Sequence, residues 1–142
     1  MIATVTPQEY PALLAVWESA VRATHTFLSE DDIAALRTRI PDYFAMVTLR
    51  VWRDPQGQIQ GFVGTSGETV EMLFIDAESR GKGIGRALLR WATEQGATQL
   101  DVNEQNPQAL AFYQHCGFNV IGRSALDGQG RPFPILHMRY VR

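Results

Sequence analysis

The segment 69–95 constrains this chain more than any other. TVEMLFID (69–76) is a nearly unbroken apolar run of strand-forming residues, and Gly83–Gln95 carries Leu88, Leu89 and Ala92 at helical spacing. Between them stands Arg80-Gly81-Lys82-Gly83-Ile84-Gly85-Arg86. A buried strand must therefore pass into a helix through a turn of glycines and cations. Glycine costs backbone entropy, so this density needs a reason: positive φ, or a ligand close to the backbone. Such a turn aims N–H groups at an anion, and the helix N-terminus adds about half a positive charge. Arg80, Lys82 and Arg86 add full charges, and together they suit a diphosphate. The competing reading is a solvated basic turn with glycine for flexibility. It leaves the placement between strand and helix without a purpose.

Two other phosphate motifs can be tested against the same letters. A P-loop needs Ser or Thr after its lysine, and Lys82 is followed by Gly83. A dinucleotide fingerprint needs a third glycine where Arg86 stands, although Asp101 lies where that motif's ribose ligand would be.

Around this unit the periodicity predicts a mixed α/β sheet. Residues 1–5 read as a short strand, and Thr6-Pro7-Gln8-Glu9 as a helix start with a capping box. Tyr10, Leu13, Leu14, Trp17 and Val21 make one helical stripe. After a break at Thr24–Leu28, Ser29 caps a second helix with Ile33, Leu36 and Ile40 inward, and Pro41 is expected to end it. Strands are predicted at 46–54 and 59–67, joined by the turn Asp54-Pro55-Gln56-Gly57. A third, more apolar and so more central, covers 69–76. A strand at 98–103 and a helix at Asn106–Cys116 follow, with Asn106 as cap and Gly117 as stop. Phe118–Ser124 and Ile135–Tyr140 are the last two strands. The length suits a single domain over 1–142.

Composition narrows the partners. A formal charge of −2 gives no basic surplus, so no nucleic-acid partner is expected. The single Cys116 excludes an internal disulfide and fits a cytoplasmic protein. The N-terminus lacks the pattern of a signal peptide, and no run is long enough to span a bilayer, so no membrane partner is expected. No metal-binding pattern is read.

The spacing Arg80-x-x-Gly83-x-Gly85 resembles the acetyl-CoA motif of the GNAT (GCN5-related) N-acetyltransferases. Asn106-Pro-Gln-Ala109-Leu-Ala-Phe112-Tyr113-Gln-His-Cys-Gly117-Phe118 resembles that family's N-x-x-A-x-x-F-Y-x-x-x-G-F helix. The likeness is specific over 71–118. Further stretches resemble the small bacterial YjaB-type group of the family: THTFL (24–28), LFID (73–76), DVNEQN (101–106) and RPFPILHM (131–138).

The resemblance implies a seven-stranded, mostly antiparallel sheet with about four helices, splayed between its fourth and fifth strands. It implies acetyl-CoA as cosubstrate, with the pantetheine arm in the splay beside the backbone of Leu73, Phe74 and Ile75. The diphosphate would lie on Arg80, Gly81, Lys82, Gly83, Ile84, Gly85 and Arg86, with Asn106 also near the arm. It implies acetyl transfer to a small-molecule or peptide amine by direct attack in a ternary complex, in a monomer or homodimer. A binding module of the same fold, holding acyl-CoA without turnover, is the alternative.

Transfer to an amine requires loss of a proton from nitrogen. A lysine-like amine has a pKa near 10.4, so neutralising it at pH 7 costs roughly 4–5 kcal/mol. Glu71, at the start of the central strand, is where several family members carry a general base; it also reads as a strand-end surface charge. Alternation expects Glu71, Leu73 and Ile75 on one face and Met72 and Phe74 on the other. His25, in the break between the first two helices, is the other candidate base, or a hydrogen-bonding helix-end histidine. His115 is expected to be exposed, and His137 has a possible place facing the site. Tyr113 matches the family tyrosine beside the CoA sulfur. Phe112, about 100° away around the helix, is then expected in the core.

Overall fold

The computed structural model describes residues 1–141. Seven strands form one sheet: β1 (Ile2–Ala3), β2 (Thr48–Arg53), β3 (Ile59–Ser66), β4 (Thr69–Ile75), β5 (Gln99–Asn103), β6 (Phe118–Ser124) and β7 (Ile135–Tyr140). Their spatial order is β1-β2-β3-β4-β5-β7-β6. The apolar run of β4 thus lies at the centre, where both faces are covered. Every pair is antiparallel except β4 with β5. With one parallel pair in seven strands, a dinucleotide fold is excluded.

Four α-helices cover the sheet: α1 (Tyr10–Thr24), α2 (Glu30–Phe44), α3 (Ile84–Glu94) and α4 (Pro107–His115). Trp17, Ile33 and Phe44 of α1 and α2 pack with Val51, Phe62 and Met72 on one face. Leu88, Leu89 and Ala92 of α3 pack with Val63, Leu100 and Met138 on the other, with α4 residues at the margin. Each layer answers an apolar stripe visible in the sequence.

Three local expectations change. The capping box at Thr6 and Glu9 forms, yet it opens a 3-10 turn, Pro7–Glu9, and α1 begins at Tyr10. The first strand shrinks to Ile2–Ala3. Pro41 does not end α2, which runs on to Phe44. Ile40 and Phe44 are both buried in the α1–α2 core, so packing holds the last turn despite the missing N–H. Ser29 caps α2 as expected: its Oγ accepts from the Asp32 amide at 3.1 Å, and Asp32 Oδ2 accepts from the Ser29 amide at 3.0 Å.

Candidate active site

The parallel pair β4–β5 is bonded over only two rungs, Thr69↔Gln99 and Val70↔Leu100. Beyond them the strands part. On β4 the parting coincides with a bulge: Thr65 of β3 pairs with Val70 and Gly64 with Met72, leaving Glu71 unopposed. A bulge bends its strand and re-aims a side chain. It also breaks the expected alternation. Val70, Leu73 and Ile75 face the α3 core while Met72 and Phe74 face α1 and α2, and exposed Glu71 stands at the fork as the inserted residue rather than in register with Leu73.

A groove of about 420 Å³ opens from this fork. Glu71, Leu73, Phe74 and Ile75 line it from β4, and Asp101, Val102 and Asn103 from β5. The Gly-rich turn, the N-terminus of α4 and the end of α1 close it.

The turn has the geometry of an anion cradle. Gly81 and Gly83 hold φ of 78° and 81°, left-handed values that disfavour other residues, and a Cβ at either would meet no atom within 4 Å. Gly85 is helical, and a Cβ there would reach only ordinary contact, 3.4 Å from Phe112 Cζ and 3.7 Å from Ile75 Cγ1, so neither backbone nor packing demands glycine at this position. Gly83 is the N-cap of α3 and has no side chain to bond the first amides. The Ala87 amide bonds Gly83 O at 3.0 Å, so the amides of Ile84, Gly85 and Arg86 are the ones a helix leaves without internal partners. All three residues line the groove. Arg80 and Arg86 also line it, while Lys82 stands on the exposed outside of the turn. Arg80 Nη2 donates to Gln108 Oε1 at 2.8 Å, tying the turn to α4.

Asn106 is buried, and its Oδ1 accepts from the Ala109 amide at 3.2 Å, capping α4. Tyr113 lines the groove one helical turn beyond Ala109. Burial pushes its phenol well above the ordinary range, and the neighbouring Cys116 acts in the same direction. The hydroxyl therefore keeps its proton and serves as a donor. Phe112 packs against the α3 core as expected, and it also lines the same groove, with its ring 5.4 Å from that of Tyr113. The groove wraps the end of α4, so residues 100° apart both reach it. Burial also raises the Cys116 thiol, which makes it a poor nucleophile.

His25 lies on the other side of the groove. Its Nδ1 is 2.8 Å from Thr24 Oγ1, and that hydroxyl is 2.8 Å from the Ala20 carbonyl. The carbonyl only accepts, so Thr24 donates to it and must accept from His25; Nδ1 therefore carries the ring proton. Burial lowers the His25 pKa, leaving a neutral ring with its Nε2 lone pair available. Phe27 stacks beside His25 at 5.4 Å and meets Phe133 at 5.6 Å, so the loop after α1 and the 125–134 loop touch across this wall. Trp17, by contrast, is buried in the core. His115 is exposed. His137 lies beside the groove and bonds Asp101, a groove residue that the sequence suggested only as a ribose ligand. Its place at an outward position of the strand next to the splay was the available signal.

A sheet parted beside a bare helix N-terminus, with a protonated tyrosine in the same groove, defines an acyl-transferring site of one class. Residues 46–120 match the family described as Acetyltransferase (GNAT) domain, and the chain belongs to that family of enzymes. Among individual relatives, it is 40% identical over 134 residues to the peptidyl-lysine N-acetyltransferase YjaB of Salmonella typhimurium, covering 94% of this chain and 92% of the relative. The solution structure of apo-form YjaB from Escherichia coli superposes with a TM-score of 0.92 at 37% identity, covering 99% and 97% of the two chains. The PaiA N-acetyltransferase from Thermoplasma acidophilum, crystallised with coenzyme A, shares the fold with a TM-score of 0.72 at 18% identity, over 99% and 98%. The chain is thus an N-acetyltransferase, and the reading as a binding module without turnover falls away. Among the described residues no helix is long and apolar enough to cross a membrane.

Proposed function

We propose that this chain, as one domain spanning 1–142, transfers the acetyl group of acetyl-CoA to the side-chain amine of a peptidyl lysine in the cytoplasm. The observation that carries this reading is the coincidence of three features in one groove: the fork beyond Val70–Leu100, the uncapped amides of 84–86 and the Tyr113 phenol. The lysine acceptor is supported by the YjaB relative, a peptidyl-lysine N-acetyltransferase. Use of acetyl-CoA is supported by the family and by the coenzyme A complex of the fold neighbour.

In this mechanism the amides of Ile84, Gly85 and Arg86, with Gly81 and Gly83 leaving room, hold the diphosphate. Arg80, Lys82 and Arg86 supply charge. Backbone groups of Leu73, Phe74 and Ile75 pair with the pantetheine amides as the missing strand, and one N–H there polarises the thioester carbonyl. Asn106 supports the arm while capping α4. The acceptor ammonium loses one proton to Glu71, through water where the reach requires it, and attacks the carbonyl carbon; the second proton leaves the nitrogen as the tetrahedral adduct collapses and passes through solvent to the departing sulfur. The C–N bond forms and the C–S bond breaks. Tyr113 donates a hydrogen bond to the departing sulfur; with its phenol raised, outright proton transfer is further uphill than in water.

A second base is favoured by one specific observation: the His25 Nε2 lone pair is fixed by the Thr24 bond. Glu71→Gln and His25→Gln separate the two. The true base loses roughly 10²-fold in kcat or more, and the other variant stays within a few-fold. The overall reading is tested by thiol release from acetyl-CoA across a panel of amines. Release stimulated by lysine peptides supports it, and release indifferent to every amine contradicts it.

A further inference from the structure

A hydrogen-bonded chain crosses the C-terminal half of the sheet and ends in the groove. Asp101 of β5 stands directly opposite His137 of β7, and Gly122 of β6 opposite His137, with Ser124 two residues on. His137 Nδ1 is 2.7 Å from Asp101 Oδ1, and His137 Nε2 is 2.7 Å from Ser124 Oγ. A carboxylate only accepts, so Nδ1 carries the proton and donates to Asp101. In the neutral ring Nε2 then accepts from the Ser124 hydroxyl. Each member of the chain fixes the next.

The position of Asp101 gives the chain its meaning. Leu100 and Val102 point into the α3 core, so Asp101 emerges on the opposite face, the one that α1 and α2 cover farther along the sheet. Its side chain is 61% exposed and lines the groove. It is also the first β5 residue past the last rung with β4, as Glu71 is on the other strand. The two carboxylates therefore flank the fork, and Asp101 is oriented by its hydrogen bond with His137. Two charged groups share its surroundings: Glu71, which lines the groove from β4, and Arg139, two residues beyond His137 on β7. An exposed His–Asp pair adds little to stability. Its geometry acts on whatever approaches the unheld oxygen.

We propose that Asp101, aimed by His137 and Ser124, is the seat of the acceptor's ammonium group and makes the enzyme selective for cationic primary amines. This rests on the acetyl-transfer reading and adds the recognition of the acceptor to it. Asp101 touches the substrate; His137 and Ser124 are positioning residues.

Two measurements test it. With coenzyme A bound, Nα-acetyl-lysine amide is titrated while the His137 imidazole nitrogens are followed by NMR; the neutral Nα-acetyl-norleucine amide is the control. A saturable shift with lysine alone is expected. In turnover with a lysine peptide, Asp101→Asn raises the amine KM about tenfold or more, the loss of one charge-assisted bond. The acetyl-CoA KM stays within twofold. His137→Ala gives a smaller rise in amine KM, and His137→Gln, which keeps an N–H donor, recovers most of it. An unchanged amine KM in Asp101→Asn, or equal shifts with the two amides, overturns the proposal. Lysine-specific shifts without any turnover support the seat and contradict the transfer reading instead.

Discussion

Tyr113 keeps its proton because burial penalises the phenolate, and that decides what it contributes. A group that holds its hydrogen firmly suits the proposed role of donor to the leaving sulfur, not that of a base. Tyr113→Phe should therefore lower kcat by roughly 10²-fold while the Kd for coenzyme A, read by calorimetry, stays within a few-fold. Unchanged turnover would remove Tyr113 from the mechanism. At this scale the sequence was informative where a residue's role is local. Asn106 before a proline and Gly83 before a helix announce a cap and a turn. It was uninformative where the role depends on what lies across the sheet. The Asp101–His137–Ser124 chain needs the order β5-β7-β6, which no spacing in the sequence states. Phe112 does reach the core, as its 100° offset from Tyr113 implies, but it lines the groove as well, which the offset alone does not show.

At the scale of elements, the proposed binding of acetyl-CoA rests on the turn and the two helix N-termini beside it. A side chain at position 83 must adopt φ near +81°, which costs on the order of 1–3 kcal/mol and fills the space over the amides. Gly83→Val should abolish coenzyme A binding, with a cooperative thermal transition retained; tight binding by this variant would show that the turn has another role. Asn106→Ala removes the α4 cap and should cost about 1 kcal/mol, seen as a lower denaturant midpoint, together with weaker coenzyme A binding. An unchanged midpoint would mean the cap bond contributes nothing net. The strands of the hairpins were legible to within two residues, since Asp54–Gly57 and the apolar alternation mark them locally. The bulge at Glu71 was not, because it is a mismatch of register between β3 and β4 rather than a property of either. Nor was the last turn of α2, where burial of Phe44 outweighs Pro41.

At the scale of the molecule, the groove joins the two layers, with α1 and His25 on one side of the sheet and α3 and α4 on the other. Beside His25 a wall of loops is tied together by Phe27 against Phe133 and by Arg131, which bridges Asp127 at 3.2 Å and Asp32 at 3.6 Å. His25 couples this wall to pH. Its pKa in the folded chain is lowered from 6.5 by burial, so the unfolded chain binds the proton more readily. The corresponding stability is complete above pH 6.5 and is lost as pH falls through that value toward the folded pKa. Asp32 and Glu9, lowered by the Ser29 amide and by Arg53 respectively, act only in the lower window below their ordinary 3.8 and 4.5. The melting temperature should thus begin to drop between about pH 6.5 and 5, and His25→Gln should flatten that part of the curve. A wild-type curve already flat there would contradict a neutral, half-buried His25.

The central claim is that the arm of acetyl-CoA replaces a strand partner between β4 and β5. Backbone amide NMR during a coenzyme A titration tests it most directly. The account predicts a saturable, one-to-one response concentrated at 71–75 on β4 and 83–86 at the start of α3. No saturation, or shifts gathered on the outer strands β1 and β6 while those segments stay silent, would contradict it.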